Sequence, residues 1–298
     1  MTDIIAPPSV RALAREKGIN LEKLATNLGR RNIVREDLDG EQQAVAPAPT
    51  PAAAADASYW DVDHSRYGPV SEEPLSRFAK VASANLSAAQ ALIPAVTHHE
   101  RASIDAVEGW RKKLKAEAQA RGIKLTALAF NVAALARCLE EFPRFNASLS
   151  ADGQTLMLKD YIHVGIAVDT PNGLMVPVIR DADTKGLWQI ATEIADLAKR
   201  AQKRQVTADE MGGASMTITN LGGIGGVGFT PIVNPPEVAI LGLTRPETLP
   251  VWDGESFHPE LKVSLDLSYD HRIINGADAA RFCSRYSAML SDPRRMVI

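Results

Sequence analysis

No hydrophobic core can be assembled from residues 41–57. The stretch is almost all Ala, Pro, Gln and Thr, and its centre reads Ala46-Pro-Ala-Pro-Thr-Pro-Ala-Ala-Ala-Ala55. Proline cannot donate a backbone hydrogen bond to a helix or a sheet. Alternating prolines instead favour an extended, semi-stiff spacer. The chain therefore reads as three parts: a small module at 5–40, the spacer at 41–57, and a large domain at 58–298. Such a tether lets the module range widely while keeping whatever it binds close to the large domain.

The module carries two short helix patterns. The first places Val10, Leu13 and Ala14 on one face, with Ser9 as the expected N-cap after Pro7-Pro8. The second ends the unit at Ile33-Val-Arg-Glu-Asp-Leu38. A unit of this size lies below what usually folds alone, so its few apolar groups must pack closely.

The large domain reads as mixed α/β. A basic amphipathic helix is expected over about Ile104 to Arg121 and a buried helix over about Leu125 to Glu141. Strands are expected at Tyr161–Val168 and Leu174–Ile179. A further helix has Leu187, Ile190, Ala191, Ile194, Leu197 and Ala198 at core spacing. Strands recur at Ser215–Asn220, Val238–Leu243 and Lys262–Tyr269 with no helix between them. That succession predicts a mixed or antiparallel sheet with helices on one side.

Several functions are disfavoured. The net charge of −3 does not favour general nucleic-acid binding, and acidic residues interrupt the arginines of 5–40. The most apolar helix candidate contains Thr126, Asn131 and Arg137, which suits a buried helix and not a membrane span. Cys138 and Cys283 sit in apolar helical patterns and read as buried thiols, consistent with a soluble, reducing, cytoplasmic setting. His98 and His99 are adjacent, so on a strand they point oppositely and cannot share a metal. No cluster has metal-ligand spacing, and no metal is expected. Gly223-Ile-Gly225-Gly226-Val-Gly228 matches a dinucleotide-binding pattern, but three prolines in the next eight residues forbid the helix that pattern needs. A tight glycine loop near a binding channel is the better reading.

The most informative segment is Ser264 to Gly276. Val263, Leu265, Leu267 and Tyr269 alternate with Ser264, Asp266, Ser268 and Asp270. The alternation stops at His271. After a short turn, Gly276 leads into a helix with Ala279, Phe282, Cys283, Tyr286 and Leu290 on one face. A histidine is thus held at the end of a rigid strand, with the amide of Asn275 four residues on. That placement suits a general base.

These residues also carry a resemblance. Asp270-His-Arg-Ile-Ile-Asn-Gly276 is similar to the Asp-His-Arg-x-x-Asp-Gly signature of the dihydrolipoamide acyltransferases of 2-oxo acid dehydrogenase complexes. Glu141-Phe-Pro-Arg-Phe-Asn-Ala-Ser-Leu149, Val168-Asp-Thr-Pro-Asn-Gly-Leu-Met-Val-Pro-Val178, Met216-Thr-Ile-Thr-Asn-Leu-Gly222 and Pro231-Ile-Val-Asn-Pro-Pro-Glu-Val-Ala-Ile-Leu-Gly242 resemble family segments in family order. Residues 5–40 resemble the peripheral subunit-binding domain of the same proteins, with the usual glycine-rich loop reduced to Asn27-Leu-Gly-Arg-Arg-Asn32. Asn275 stands where the signature usually has Asp, and Thr219 where acetyl-transferring members usually have Ser.

The resemblance implies a chloramphenicol-acetyltransferase-like mixed sheet with flanking helices, preceded by a small two-helix module. It implies transfer of an acyl group, acetyl in first place, between dihydrolipoamide and coenzyme A. Acetoin, branched-chain or succinyl-type transfer and a non-catalytic scaffold are the alternatives. His271 would be the base, Thr219 the oxyanion donor on a neighbouring subunit, and Asn275 an orienting amide. Arg111 is a candidate contact for coenzyme A phosphates. The chain has no Asp-Lys-Ala-like lipoylation turn, so the lipoyl group is expected in trans, on another domain or protein. A homotrimer that assembles into a larger core is implied, and Arg294-Arg-Met-Val-Ile298 resembles the tail that docks trimers together. Residues 5–40 are expected to bind dihydrolipoamide dehydrogenase, the 2-oxo acid decarboxylase, or both.

Overall fold

The computed structural model describes residues 6–27, 31–40, 61–171 and 173–296. The spacer at 41–57, most of the module's loop at 28–30, and the last two residues of the tail lie outside the described residues. The chain divides into two compact units, Met1–Glu73 and Pro74–Ile298.

The described part of the first unit contains three short helices: α1 (Pro8–Glu16), α2 (Leu21–Asn27) and α3 (Arg35–Gly40). Periodicity marks only two, because α2 is too short to show a period. A cap starts it instead: Asn20 Oδ1 accepts from the backbone N–H of Glu22 at 2.9 Å and of Lys23 at 3.2 Å. Helix α1 begins one residue before its expected cap. Pro7 is its N-cap, and Pro8 takes the first turn, where the missing N–H costs nothing. Ser9 therefore lies inside the helix. Val10, Ala14, Leu24, Ile33 and Leu38 form the small core.

In the second unit, α4 (Arg77–Leu92) precedes β1 (Ala95–Ser103). Next come α5 (Asp105–Lys113) and α6 (Lys115–Ala120), two pieces of the single basic helix expected from periodicity, broken at Leu114. The buried α7 (Ala127–Glu141) follows, then the hairpin β2 (Ala147–Leu149) and β3 (Leu156–Leu158), then β4 (Val164–Ile166) and β5 (Val178–Ile179). After α8 (Leu187–Gln202) come β6 (Met216–Asn220), β7 (Ala239–Leu243), β8 (Glu247–Trp252), β9 (Phe257–Asp270) and α9 (Gly276–Ser291). No described helix is long and apolar enough to cross a membrane.

The main sheet has the order β1-β9-β7-β6-β4-β5, with β8 pairing to β9. It is mixed: β4–β6 and β6–β7 are parallel and the other pairings antiparallel. Its two faces differ chemically. Val263, Leu265, Leu267 and Tyr269 of β9, Met216 and Ile218 of β6, and Leu241 and Leu243 of β7 join the core formed with α7, α8 and α9. Alternation places Thr217, Thr219, Gly242, Ser264, Asp266 and Ser268 on the opposite face. That face is polar yet closed over, since Thr217, Asp266 and Ser268 are all buried. β9 lies between β1 and β7, which take up its backbone hydrogen bonds on both edges. Cys138 and Cys283 are buried free thiols, and burial pushes the Cys283 thiol up to about 12.

Candidate active site

His271 is the first residue beyond β9, and its backbone N–H donates to Pro94 O at 3.1 Å. The turn that presents it is fixed from three sides. Asp270, almost fully buried, accepts from Arg272 Nε at 3.0 Å, Nη2 at 2.6 Å and the Arg272 backbone N–H at 3.0 Å. Hydrogen bonding to this carboxylate raises the Arg272 pKa above its ordinary value. The N–H groups of Ile273 and Ile274 both donate to Asp270 O at 3.0 Å. Arg144 Nη1, from the Glu141–Leu149 segment, donates to Ile273 O at 3.2 Å. The His271 ring is exposed and lies 5.8 Å from the Tyr269 ring, centroid to centroid.

Asn275 is the N-cap of α9, and its Oδ1 accepts from Asp278 N at 2.9 Å. An Asp could make the same bond, so the amide preserves the cap while removing a negative charge near His271.

Thr219 sits near the end of β6, half-buried, opposite Gly242 of β7. It lines a cleft of about 430 Å³. Phe78 and Leu86 of α4 form one wall, and Phe229 and Ile232 another. Thr217 and Thr219 are the hydroxyls of this largely apolar cleft, and Asn85 and Asn234 add amides. Behind it lies Glu237, buried, whose Oε1 accepts from Thr217 Oγ1 at 2.9 Å. Burial pushes the Glu237 carboxyl up to about 7, against the pull of its hydrogen bonds and of the Lys159 charge. The glycine loop leads straight into this cleft. Gly225 and Gly226 take φ of 152° and 90°, and the residues that follow are irregular rather than helical.

The fold brings His271 and Asn275 together on one turn, but not Thr219. Thr219 pairs with Gly242, and Gly242 with Asp266, which lies four residues before the end of β9. Two strand spacings across and four residues along put Thr219 roughly 16 Å from Asp270 in the same chain. Arg111 lies apart on α5, where Glu108 holds it through Nε at 3.0 Å and Nη2 at 2.6 Å. A coenzyme A phosphate would have to compete with that carboxylate.

Sequence reasoning passed over Asp270, Arg144 and Glu237. The first was legible as the last polar residue of the alternating strand. The others act through partners 129 and 20 residues away, which periodicity does not report.

The chain matches the model of the 2-oxoacid dehydrogenases acyltransferase (catalytic domain) over residues 67–298. It is 45% identical over 299 residues to the dihydrolipoyllysine-residue acetyltransferase component of the pyruvate dehydrogenase complex from Pseudomonas aeruginosa, covering 98% of this chain and 55% of that protein. The chain spans about half the length of the curated relatives it matches. Two solved structures superpose with a TM-score of 0.78 at 48% identity, covering 80% of this chain and 98% of theirs. One comes from crystallographic and enzymatic work on a serine, a histidine and an asparagine in the catalytic mechanism of the Azotobacter vinelandii dihydrolipoamide acetyltransferase. The other is the cubic core of the pyruvate dehydrogenase multienzyme complex.

Proposed function

The chain belongs to the 2-oxoacid dehydrogenase acyltransferase family, and from that premise we propose that it transfers an acetyl group between dihydrolipoamide and coenzyme A. One observation carries the residue roles. Thr219, His271 and Asn275 are separated by 52 and four positions, the separations of the serine, histidine and asparagine studied in the Azotobacter vinelandii enzyme. Thr219 keeps the hydroxyl of that serine on a stiffer, β-branched frame.

The chemistry accounts for the residue types. A thiol with pKa near ~8.5 is mostly protonated at neutral pH, so a base must take its proton as it attacks. An imidazole nitrogen of His271 accepts the proton from coenzyme A, and the sulfur adds to the thioester carbonyl of acetyl-dihydrolipoamide. The carbonyl oxygen becomes an oxyanion that accepts a hydrogen bond from Thr219 Oγ1. Collapse breaks the bond to the dihydrolipoamide sulfur, which recovers the proton from His271. Both reacting sulfurs come from substrates, so no protein nucleophile is required. Asn275 caps the helix that follows the turn and keeps a neutral amide beside it.

The separation of Thr219 and Asp270 within one chain favours a site shared between subunits. The homotrimer and larger core are proposed on that ground and on the cubic core of the solved relative. Residues 5–40 are proposed to dock dihydrolipoamide dehydrogenase or the decarboxylase, and the lipoyl group is proposed to reach the site from another domain or protein.

Purified protein given acetyl-CoA and free dihydrolipoamide should form acetyl-dihydrolipoamide. His271→Ala should lower the rate by about 10²–10⁴ while leaving thermal stability unchanged, because the ring is exposed. Full activity in that variant would remove His271 from the mechanism. A wild-type protein with no activity, yet able to bind partner subunits, would favour the scaffold reading.

A further inference from the structure

Thr219, Gly242, Asp266 and His99 form one row across the four adjacent strands β6, β7, β9 and β1. Directly opposed residues of neighbouring strands point to the same face, so all four share the cleft side of the sheet. The second place in the row is a glycine for a steric reason. A Cβ on Gly242 would stand 2.7 Å from Phe229 Cζ. The Phe229 ring occupies that space, between Thr219 on one side and Asp266 on the other, and it lines the cleft.

Asp266 is 1% exposed, and a carboxylate so buried must be matched by donors. It has one for each oxygen. His99 Nδ1 lies 2.6 Å from Oδ1, and the backbone N–H of Phe229 donates to Oδ2 at 3.2 Å. Ser264 Oγ, two residues along β9, donates to Val227 O at 2.8 Å and ties the same loop to the same strand. The His99 side chain is 59% exposed and opens on a separate pocket of about 310 Å³ beyond Gly228.

We propose that Asp266, oriented by His99, is a positioning residue that pins Phe229 over Gly242 and thereby sets the wall of the acyl cleft beside Thr219. The inference rests on the acyl-transfer reading for the cleft's purpose, but the pinning does not. Neither residue touches a reacting atom. Their effect passes through the Phe229 backbone, so it falls on substrate fit more than on the chemical step.

Two variants and a rescue test this. In Asp266→Asn a single oxygen remains to accept, and the amide NH₂ meets whichever donor is left over. In His99→Leu the carboxylate keeps only the Phe229 N–H, and the exposure of His99 leaves the fold intact even if Asp266→Asn does not assemble. In both, the Phe229 amide should exchange with solvent about tenfold faster than in wild type. The KM for acetyl-CoA or dihydrolipoamide should rise about three- to tenfold with kcat held within about twofold. His99→Asn, whose Nδ2 can stand where Nδ1 stands, should restore both. Unchanged Phe229 exchange in His99→Leu overturns the proposal, and so does faster exchange with unchanged KM. If the wild type transfers no acyl group, the functional reading fails. The exchange measurement needs no substrate and still decides whether the pair holds Phe229.

Discussion

Asp270 grips Arg272 through Nε at 3.0 Å and Nη2 at 2.6 Å, across the single residue, His271, that their turn displays. The acid is buried and the arginine nearly half exposed, so solvent weakens the pair without abolishing it. Arg272→Ala would leave a buried carboxylate held only by the Arg272 backbone N–H. A loss of about 1–2 kcal/mol in unfolding free energy is expected, discounted for solvent exposure. Acyl-transfer activity should fall with it, as the turn loosens around His271. Arg272→Lys, which cannot bind both oxygens through a planar fork, should lie between. Denaturant melts together with steady-state rates check this.

Thr219 has two separable properties, a hydroxyl and a branched Cβ. Thr219→Ser keeps the donor and should retain most of the activity. Thr219→Val keeps the shape and removes the donor, which should lower kcat by about 10²–10³ at little cost to stability. Equal rates in the Ser and Val variants would show that the hydroxyl does not bind the oxyanion.

Asn275 combines a structural role with a proposed orienting one. Asn275→Ala removes the bond to Asp278 N and should destabilise the protein by about 1 kcal/mol. Asn275→Asp keeps the cap, and its charge at the helix N-terminus is favourable, so stability should hold or rise. If the amide also orients the turn that displays His271, acyl-transfer activity should fall further in Asn275→Ala than in Asn275→Asp. Activity unchanged in Asn275→Ala would confine Asn275 to capping.

What the sequence made legible followed from repetition. Strand β9 and helix α9 were readable because alternation and helical spacing each ran unbroken up to His271 and beyond Gly276. Strand β1 was not, because Thr97-His-His-Glu-Arg101 offers no apolar alternation. Its polar residues answer buried partners on β9, Thr97 to Ser268 at 2.7 Å and His99 to Asp266. Helix α4 was missed because it is rich in Ala and Ser, and Phe78, Val81 and Leu86 are exposed along it within a single chain. His271 stood out locally. Thr219 could be singled out only by resemblance, since a lone threonine in a strand carries no signal of its own.

Glu237 makes stability depend on pH in a definite direction. Its carboxyl is pushed from 4.5 up to about 7, chiefly by burial. The folded state therefore holds a proton that the unfolded state releases, and this group's contribution is fully present below pH ~4.5 and lost as pH rises through ~7. Above that range the cost approaches roughly 3 kcal/mol. Glu237→Gln keeps an oxygen to accept from Thr217 and cannot ionise. It should unfold with little change relative to wild type near pH 5 and be the more stable protein at pH 8. Parallel pH dependences for the two proteins would mean that Glu237 ionises freely in the fold.

The separation of Thr219 from the His271 turn is the ground for proposing a site shared between chains. The strand register sets Thr219 and Asp270, the residue before His271, on different strands at different heights, roughly 16 Å apart at the backbone. A threonine hydroxyl and an imidazole cannot span that gap to meet at one carbonyl carbon. A heterologous contact between copies can bring Thr219 of one chain to His271 of the next, repeating around a ring. Two inactive variants, Thr219→Val and His271→Ala, should then complement each other. When they are unfolded together and reassembled in equal amounts, about a quarter of the interfaces pair an intact Thr219 with an intact His271. Activity should recover to about that fraction of wild type. Each variant reassembled alone should remain inactive. Recovery no greater than the sum of the separate variants would count against a site shared between chains.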